Sequence, residues 1–183
     1  MKEITWYGRG GQGAFTASRI LGAAAMLKGY RALAFPSFGP ERRGAPIRAF
    51  TRISGEGIVD RSIIRKSDYI IVLDDSLYDN EMLNNLKEGG RILINTKRDP
   101  EYFGDDRVIV SDISTQAEKI LKRPIVNIGI LGLLTGLDPD IGPDEIFRAI
   151  EEYMPNKIAD KNIRLLDRII KLNGGESDDQ GLS

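Results

Sequence analysis

The sequence contains neither cysteine nor histidine. These two absences exclude disulfide bonds, iron–sulfur clusters ligated by cysteine and the ordinary zinc sites built from cysteine and histidine. They also exclude a thiol nucleophile and a histidine general base. Two interpretations stay open: a stable domain that avoids labile residues, or a chain whose partner performs the chemistry.

The sequence also lacks an excess of one charge and a long apolar run. Its 26 basic and 27 acidic residues give a net charge of −1, so there is no general attraction to nucleic acid or to an anionic membrane. No stretch approaches the roughly 20 apolar residues of a transmembrane helix, and no secretory signal precedes the first strand pattern. We therefore expect a cytoplasmic protein with no nucleic-acid or membrane partner.

Length and composition suit one globular domain. The chain has 183 residues, of which 41% are apolar and 29% are charged, and both fractions are ordinary for a folded protein. The last ten residues are polar and rich in glycine and aspartate, which is typical of a disordered tail. The sequence predicts a single domain over residues 1–173 and a disordered tail over residues 174–183.

Strand and helix patterns alternate along the chain. The predicted strands cover residues 4–7, 31–34, 47–54, 69–73, 91–95 and 108–110. The predicted helices cover residues 14–28, 76–87, 113–121, 125–137 and 158–172, with another beginning at residue 142. Gly89 and Gly90 are expected to end the helix at 76–87. This alternation predicts an α/β fold, with three layers (α/β/α) around a mostly parallel and possibly mixed sheet.

A glycine-rich turn follows the first predicted strand. Gly8, Gly10 and Gly13 fit the pattern G-x-G-x-x-G between a strand and a helix, where glycines admit a phosphate and free N–H groups favour an anion. A classical NAD or FAD site also needs an acidic residue at the end of the second strand, and that strand ends in Leu-Ala-Phe-Pro. A dinucleotide site, a purely structural turn and another phosphate site stay open. Arg9 and Gln12 are long enough to contact a ligand or partner directly.

The loop after the second predicted strand contains the segment Glu41-Arg42-Arg43-Gly44. In an open α/β sheet this loop leaves from the same edge as the glycine turn, so the two can face one crevice. The planar fork of arginine binds phosphate through two hydrogen bonds. The alternative is a pair of solvated arginines with Glu41 as their partner.

Three further groups of polar residues have two interpretations each. Asp74, Asp75 and Ser76 end the strand at 69–73 and could bind a metal, although a helix cap is the interpretation we favour. Asn95 and Thr96 end the next strand and either bind a ligand or close a turn. The face of the strand at 47–54 that carries Arg48, Phe50 and Arg52 is expected to meet a partner subunit or a local helix.

Together these segments resemble the γ subunit of pyruvate and related 2-oxoacid:ferredoxin oxidoreductases. The resemblance covers residues 4–172 and is carried, in family order, by GRGGQG, PSFGPERRGAPIRAFTRIS, YIIVLDDSL, GGRILINT and NIGILGLL. The combination of GRGGQG with ERRGAP is specific, while either motif alone is weak. The form E-R-R-G-A-P is more similar to the pyruvate and branched-chain members than to the 2-oxoglutarate or indolepyruvate members.

The resemblance implies a fold like domain III of pyruvate:ferredoxin oxidoreductase and a role inside a heteromeric enzyme. Such enzymes decarboxylate a 2-oxoacid on thiamine diphosphate, reduce ferredoxin through iron–sulfur clusters and transfer the acyl group to coenzyme A. Thiamine diphosphate and the clusters belong to the α, β and ferredoxin-like δ subunits, which are the expected partners, so no catalytic residue and no metal site is expected here. The resemblance implies that this chain helps to hold coenzyme A, with these candidate residues: Gly10, Gly11, Gln12, Gly13, Arg42, Arg43 and Asn127.

Overall fold

A computed structural model of the chain describes residues 1–37, 44–58 and 60–174. A six-stranded sheet forms its centre, in the order β2-β3-β1-β4-β5-β6. The strands are β1 Lys2–Arg9, β2 Arg31–Pro36, β3 Pro46–Ser54, β4 Ser67–Val72, β5 Leu86–Asn95 and β6 Val108–Ser111. The predicted tail lies outside the described residues apart from Gly174.

The sheet is mixed. Strands β1, β4, β5 and β6 pair in parallel, whereas β3 is antiparallel to both β1 and β2. Because β3 is antiparallel to both of its neighbours, β1 and β2 run in the same direction. The carboxyl ends of five strands therefore share one edge of the sheet, and β3 begins at that edge.

All five α-helices of the described residues belong to one hydrophobic core on one face of the sheet. The helices are α1 Ala14–Leu27, α2 Ile113–Leu121, α3 Leu131–Thr135, α4 Pro143–Tyr153 and α5 Asn156–Asn173. Fully buried Ile4, Trp6 and Leu93 face them from the sheet. The indole of Trp6 keeps a partner in this core because it donates a hydrogen bond to Thr51 Oγ1 over 3.0 Å.

A second, smaller core lies on the opposite face of the sheet. Three short 3₁₀-helices cover it: Asp75–Leu77, Asn80–Asn85 and Pro100–Tyr102. The predicted α-helix at residues 76–87 is wrong. Asp74 and Asp79 each cap a 3₁₀ turn with their carboxylates, and such side-chain hydrogen bonds compete with a continuous α-helix. The predicted α/β class with a mixed sheet is confirmed, and its third layer consists of these 3₁₀-helices.

Gly89 and Gly90 do not end a helix but lie inside β5. The pairing of β4 with β5 shifts register between Ser67 and Tyr69, which marks a bulge at this point. Gly89 has a φ of +73°, and a Cβ on Gly90 would lie 3.0 Å from the carbonyl oxygen of Ser67. The glycine pair therefore lets two strands approach closely, which sequence periodicity alone did not indicate.

The predicted helix at residues 125–137 is α-helical only at its centre, as α3. Residues 127–130 form turns that lead into it. Two of the glycines in this segment, Gly129 and Gly132, pack closely against neighbouring helices. A Cβ on Gly129 would lie 2.7 Å from Ile113 Cγ2, and one on Gly132 would lie 2.9 Å from Ile169 Cγ2.

The basic and aromatic face of β3 is covered partly by the chain itself. Arg52 is 1% exposed and donates hydrogen bonds to Glu3 Oε1 and to the backbone carbonyls of Asp60 and Ser62, over 2.8–2.9 Å. A local loop, not a helix, therefore buries this end of the strand. Arg48 on the same face stays exposed. None of the described helices is long and apolar enough to cross a membrane.

Candidate functional site

A cavity of about 770 Å³ lies at the edge where the parallel strands end. Its walls come from residues 11–13 after β1, 73–75 after β4, 95–98 after β5, Ser114 in α2, and 124–127 before α3. Ligand sites in open α/β sheets occupy this edge, and their volumes are usually about 300–1,000 Å³. Four of the predicted residues line this one cavity: Gly11, Gln12, Gly13 and Asn127.

The backbone of the glycine turn adopts a left-handed conformation at two positions. Gly11 and Gly13 have φ angles of +94° and +80°, in the left-handed region that glycine adopts without strain. Helix α1 then begins at Ala14 with no side-chain cap and no acidic residue in its first turn. The first N–H groups of a helix lack intrahelical partners and carry partial positive charge. The turn therefore presents an anion-attracting wall to the cavity.

Gly10 connects the glycine turn to the chain segment before β3 through two backbone hydrogen bonds. Its N–H donates to Ala45 O over 2.9 Å, and its carbonyl accepts from Gly44 N over 3.2 Å. The chain segment that leads into β3 is thus attached to the glycine turn. Arg42 and Arg43 precede Gly44 in the sequence but lie outside the described residues, so their role stays a prediction.

Arg9 and Gln12 are engaged inside the protein. The guanidinium of Arg9 contacts Asp74 Oδ2, Gly44 O and Ser76 Oγ over 2.8–3.2 Å. Gln12 accepts a hydrogen bond from Arg9 N over 2.7 Å and donates to Asp74 Oδ2 over 3.1 Å. The expectation that Arg9 reaches a ligand is therefore not supported, because Asp74 holds its side chain against the end of β4.

Asp74 accepts hydrogen bonds from both Arg9 and Gln12, and its carboxyl stays ionised. Burial by itself raises the pKa of its carboxyl, but hydrogen bonds from Ser76 and Gln12 and the charge of Arg9 outweigh burial and lower the pKa. The favoured interpretation of Asp74 as a cap is also confirmed, since it accepts from Ser76 N. The described residues contain no group of three or more side chains suited to a metal ion.

Asn127 joins the turn before α3 to the glycine turn. Asn127 is 6% exposed, and its Nδ2 donates to Gly13 O over 3.2 Å. This hydrogen bond orients the amide and leaves Oδ1 without a donor among the described residues. Because Asn127 lines the cavity, this oxygen can accept a hydrogen bond from a ligand.

The end of β5 and the loop after it form a further wall of the cavity, in which Asn95 and Thr96 were predicted candidates but Lys97 and Arg98 were not. Lys97 and Arg98 line the cavity, and Arg98 lies with its guanidinium 4.2 Å from the centre of the Tyr102 ring. Thr96 Oγ1 donates to Asp75 Oδ2 over 2.6 Å, while Asn95 bonds to Leu73 and to the start of α2. The signal was available, because these residues directly follow a predicted parallel strand.

The classical dinucleotide arrangement is not observed. In that fold the strand after the first helix lies beside β1 and ends in the acidic residue that binds the ribose. Here β3 separates β2 from β1, and β2 ends in Phe35 and Pro36. The glycine turn therefore belongs to a different topology.

Comparison with known proteins identifies this topology. A family model described as pyruvate ferredoxin/flavodoxin oxidoreductase matches residues 3–172. The chain belongs to this family. Pyruvate synthase subunit PorC from Methanothermobacter marburgensis is 43% identical over 164 residues, which cover 88% of this chain and 92% of that protein. The common γ subunit of pyruvate/ketoisovalerate oxidoreductases from Thermococcus litoralis is 39% identical over 171 residues, covering 90% and 92%.

Solved structures share the fold. Pyruvate oxidoreductase subunit PORC from Thermotoga maritima matches with a TM-score of 0.81 and 35% identity, covering 93% of this chain and 95% of that chain. A 2-oxoglutarate:ferredoxin oxidoreductase from Magnetococcus marinus matches with a TM-score of 0.77 and 18% identity, covering 97% of this chain and 32% of that chain. The predicted γ-subunit resemblance is confirmed, and the chain is a subunit of a 2-oxoacid:ferredoxin oxidoreductase.

Proposed function

We propose that this chain is the γ subunit of a pyruvate:ferredoxin oxidoreductase and that its cavity forms part of the coenzyme A site. The observation that carries the second part is the convergence of the glycine turn, the uncapped start of α1 and Asn127 on one cavity. Pyruvate as the 2-oxoacid is supported by the names of the relatives that are 43% and 35% identical.

The chemistry of the cavity suits a phosphorylated thiol carrier. Coenzyme A has a diphosphate and a 3′-phosphate, and the backbone N–H groups at the start of a helix favour such anions. Its pantetheine arm contains amide N–H groups, for which the free Oδ1 of Asn127 is an acceptor. Ile125 and Val126 line the same cavity and add apolar contact for the arm.

The rest of the reaction is assigned to partner chains. Thiamine diphosphate supplies the electron sink for decarboxylation, and iron–sulfur clusters carry the electrons to ferredoxin. A chain without cysteine and histidine has no ligand set for such clusters. We therefore assign these cofactors to the α, β and ferredoxin-like δ subunits. As a separate part of the proposal, we place the complex in the cytoplasm.

The assembly is tested by co-purification. We expect an affinity-tagged chain, expressed with its genomic neighbours under anaerobic conditions, to bring down a thiamine-binding chain and a ferredoxin-like chain in fixed ratio. The purified complex should reduce ferredoxin only when pyruvate and coenzyme A are both present. A tagged chain that stays alone would contradict the subunit assignment.

The coenzyme A role is tested in the assembled enzyme with the double variant R42A/R43A. The loss of one charge-assisted phosphate contact costs about 1.5–3 kcal/mol, so the KM for coenzyme A should rise roughly tenfold or more while the KM for pyruvate stays the same. R61A/R65A removes the same charge from two exposed arginines away from the cavity and is the control. An unchanged KM for coenzyme A in R42A/R43A would leave only an architectural role.

A further inference from the structure

The ion pairs around the cavity leave one basic side chain of its wall without a partner. Asp74, Asp75, Lys97 and Arg98 are the charged residues in its described walls. Asp74 pairs with Arg9 over 3.1 Å, and Asp75 pairs with Arg98 over 3.4 Å. Within the described part of the chain, Lys97 has no ion pair or hydrogen bond through its side chain. One positive charge therefore stays available to a ligand.

The backbone that carries Lys97 is anchored on both sides. Thr96 Oγ1 donates to Asp75 and accepts from Arg98 N over 3.1 Å. Arg98 is held in turn by Asp75 and by the ring of Tyr102. Lys97 thus extends from a fixed point of the cavity wall, so a ligand contact orders its side chain but does not have to order the loop as well.

Lys97 and the glycine turn lie at different places in the cavity wall. The turn follows β1 and Lys97 follows β5, and only β4 lies between these two strands. Neighbouring strands are about 4.8 Å apart, so the two strand ends are separated by about 10 Å. A ligand that meets both sites must carry negative charge at two separated positions.

We propose that Lys97 binds the 3′-phosphate of coenzyme A while the glycine turn binds the diphosphate. The inference rests on the proposed function. The diphosphate of coenzyme A is esterified at both ends, and the backbone N–H groups at the start of a helix are suited to bind such an anion. The 3′-phosphate is a terminal dianion, for which a flexible ammonium with three donors is a suitable partner.

The test compares two acyl acceptors in the assembled enzyme, coenzyme A and 3′-dephospho-coenzyme A. In K97M, the KM for coenzyme A should rise roughly tenfold, as expected for one charge-assisted contact. The KM for the dephospho compound should stay the same, so the variant loses the preference that the native enzyme has for the 3′-phosphate. K97R keeps the charge and should restore part of that preference.

Two outcomes would overturn the inference: an unchanged KM for coenzyme A in K97M, or an equal rise in KM for both acceptors. K161M removes one charge from the exposed face of α5 and controls for the net charge of the subunit. Failure here is distinguishable from failure of the proposed function. If R42A/R43A raises the KM for coenzyme A and K97M does not, only the role of Lys97 is wrong; if neither does, both proposals fail.

Discussion

Asn127 and Gly13 are 114 positions apart in the chain, yet the side-chain amide of one donates a hydrogen bond to the carbonyl of the other over 3.2 Å. The contact is so close that a Cβ on Gly13 would clash with Asn127 Nδ2. Gly13 therefore meets two requirements. It adopts a left-handed φ of +80°, and its lack of a Cβ leaves the space that Asn127 occupies. This pair fixes the start of α1 relative to the turn before α3.

Variants at Gly11 and Gly13 separate these two requirements. G11A places alanine at a similar φ, +94°, with no atom within 4 Å of the new Cβ, so it should cost only the backbone strain of about 1–3 kcal/mol. G13A adds the clash and should lower the free energy of unfolding further. In G13A/N127A the clash is removed, so the double variant should be more stable than the sum of the two single effects. Urea unfolding of the purified chain measures the cycle, and additive effects would contradict it.

A second pair of glycine variants tests the packing of α3 on α5. A Cβ on Gly132 would lie 2.9 Å from Ile169 Cγ2 and 3.1 Å from Leu166 O, so G132A should destabilise the chain by about 1–3 kcal/mol. Gly136 has helical φ and ψ angles, and the nearest atom to its Cβ is 3.7 Å away. G136A should therefore be neutral or stabilise by up to about 1 kcal/mol. Equal effects in thermal unfolding would show that the contact with α5 is unimportant.

Arg52 and Arg48 form a matched pair on one face of β3. R52M leaves Glu3 and the carbonyls of Asp60 and Ser62 without their donor, and we expect a loss of about 3 kcal/mol. Glu3 keeps Lys87 as a partner at 3.1 Å, which limits the loss. R48M removes the same charge from an exposed side chain and should change the free energy of unfolding by less than about 0.5 kcal/mol. Similar losses in urea unfolding would refute the assignment of Arg52 as a buried anchor.

The lowered pKa of Asp74 predicts a dependence of stability on pH. Its folded-state pKa lies below the ordinary value of 3.8, so the folded chain binds a proton at this carboxyl less readily than the unfolded chain does. The stabilisation is fully present above that value and is lost as the pH falls below it. The unfolding temperature of D74N should therefore fall less steeply than that of the native chain between pH 5 and pH 3, taken as about one unit on each side of this value.

E88Q is the control for D74N, because it removes an exposed carboxylate from β5 outside the cavity. It should leave the steep part of the native pH profile in place. Identical profiles for the native chain and D74N would show that the contacts of Asp74 with Arg9 and Gln12 do not stabilise the folded state.

Much of the fold follows from local sequence. The apolar run around Ile70 and Ile71 predicted a buried central strand, and the glycine turn predicted a strand before it and a helix after it. The segment between Asp74 and Leu86 was misjudged, because its spacing of apolar residues is compatible with both an α-helix and successive 3₁₀ turns. In the structure Asp74 and Asp79 each cap a separate 3₁₀ turn with their carboxylates. The sequence alone does not indicate this, because a capping residue is as compatible with an α-helix as with a 3₁₀ turn.

The candidate site was predicted in part. Gly11, Gln12, Gly13 and Asn127 share a cavity as expected, since residues after parallel strands meet at one edge of the sheet. The engagement of Arg9 and Gln12 by Asp74 was not predicted. A side chain's partner depends on which strands are neighbours, and the pairing of β1 with β4 places Asp74, which follows β4, next to the glycine turn.

The sequence by itself determined the family, the α/β class and the absence of side chains for cluster or thiol chemistry, because composition and short motifs are local properties of the chain. Only the tertiary structure decided which charges are free. Arg9 and Arg98 are neutralised by carboxylates that are 65 and 23 positions distant in the sequence, while Lys97 has no such partner in the described part of the chain. Charge compensation acts over a few ångströms through space, and only the folded chain sets those distances.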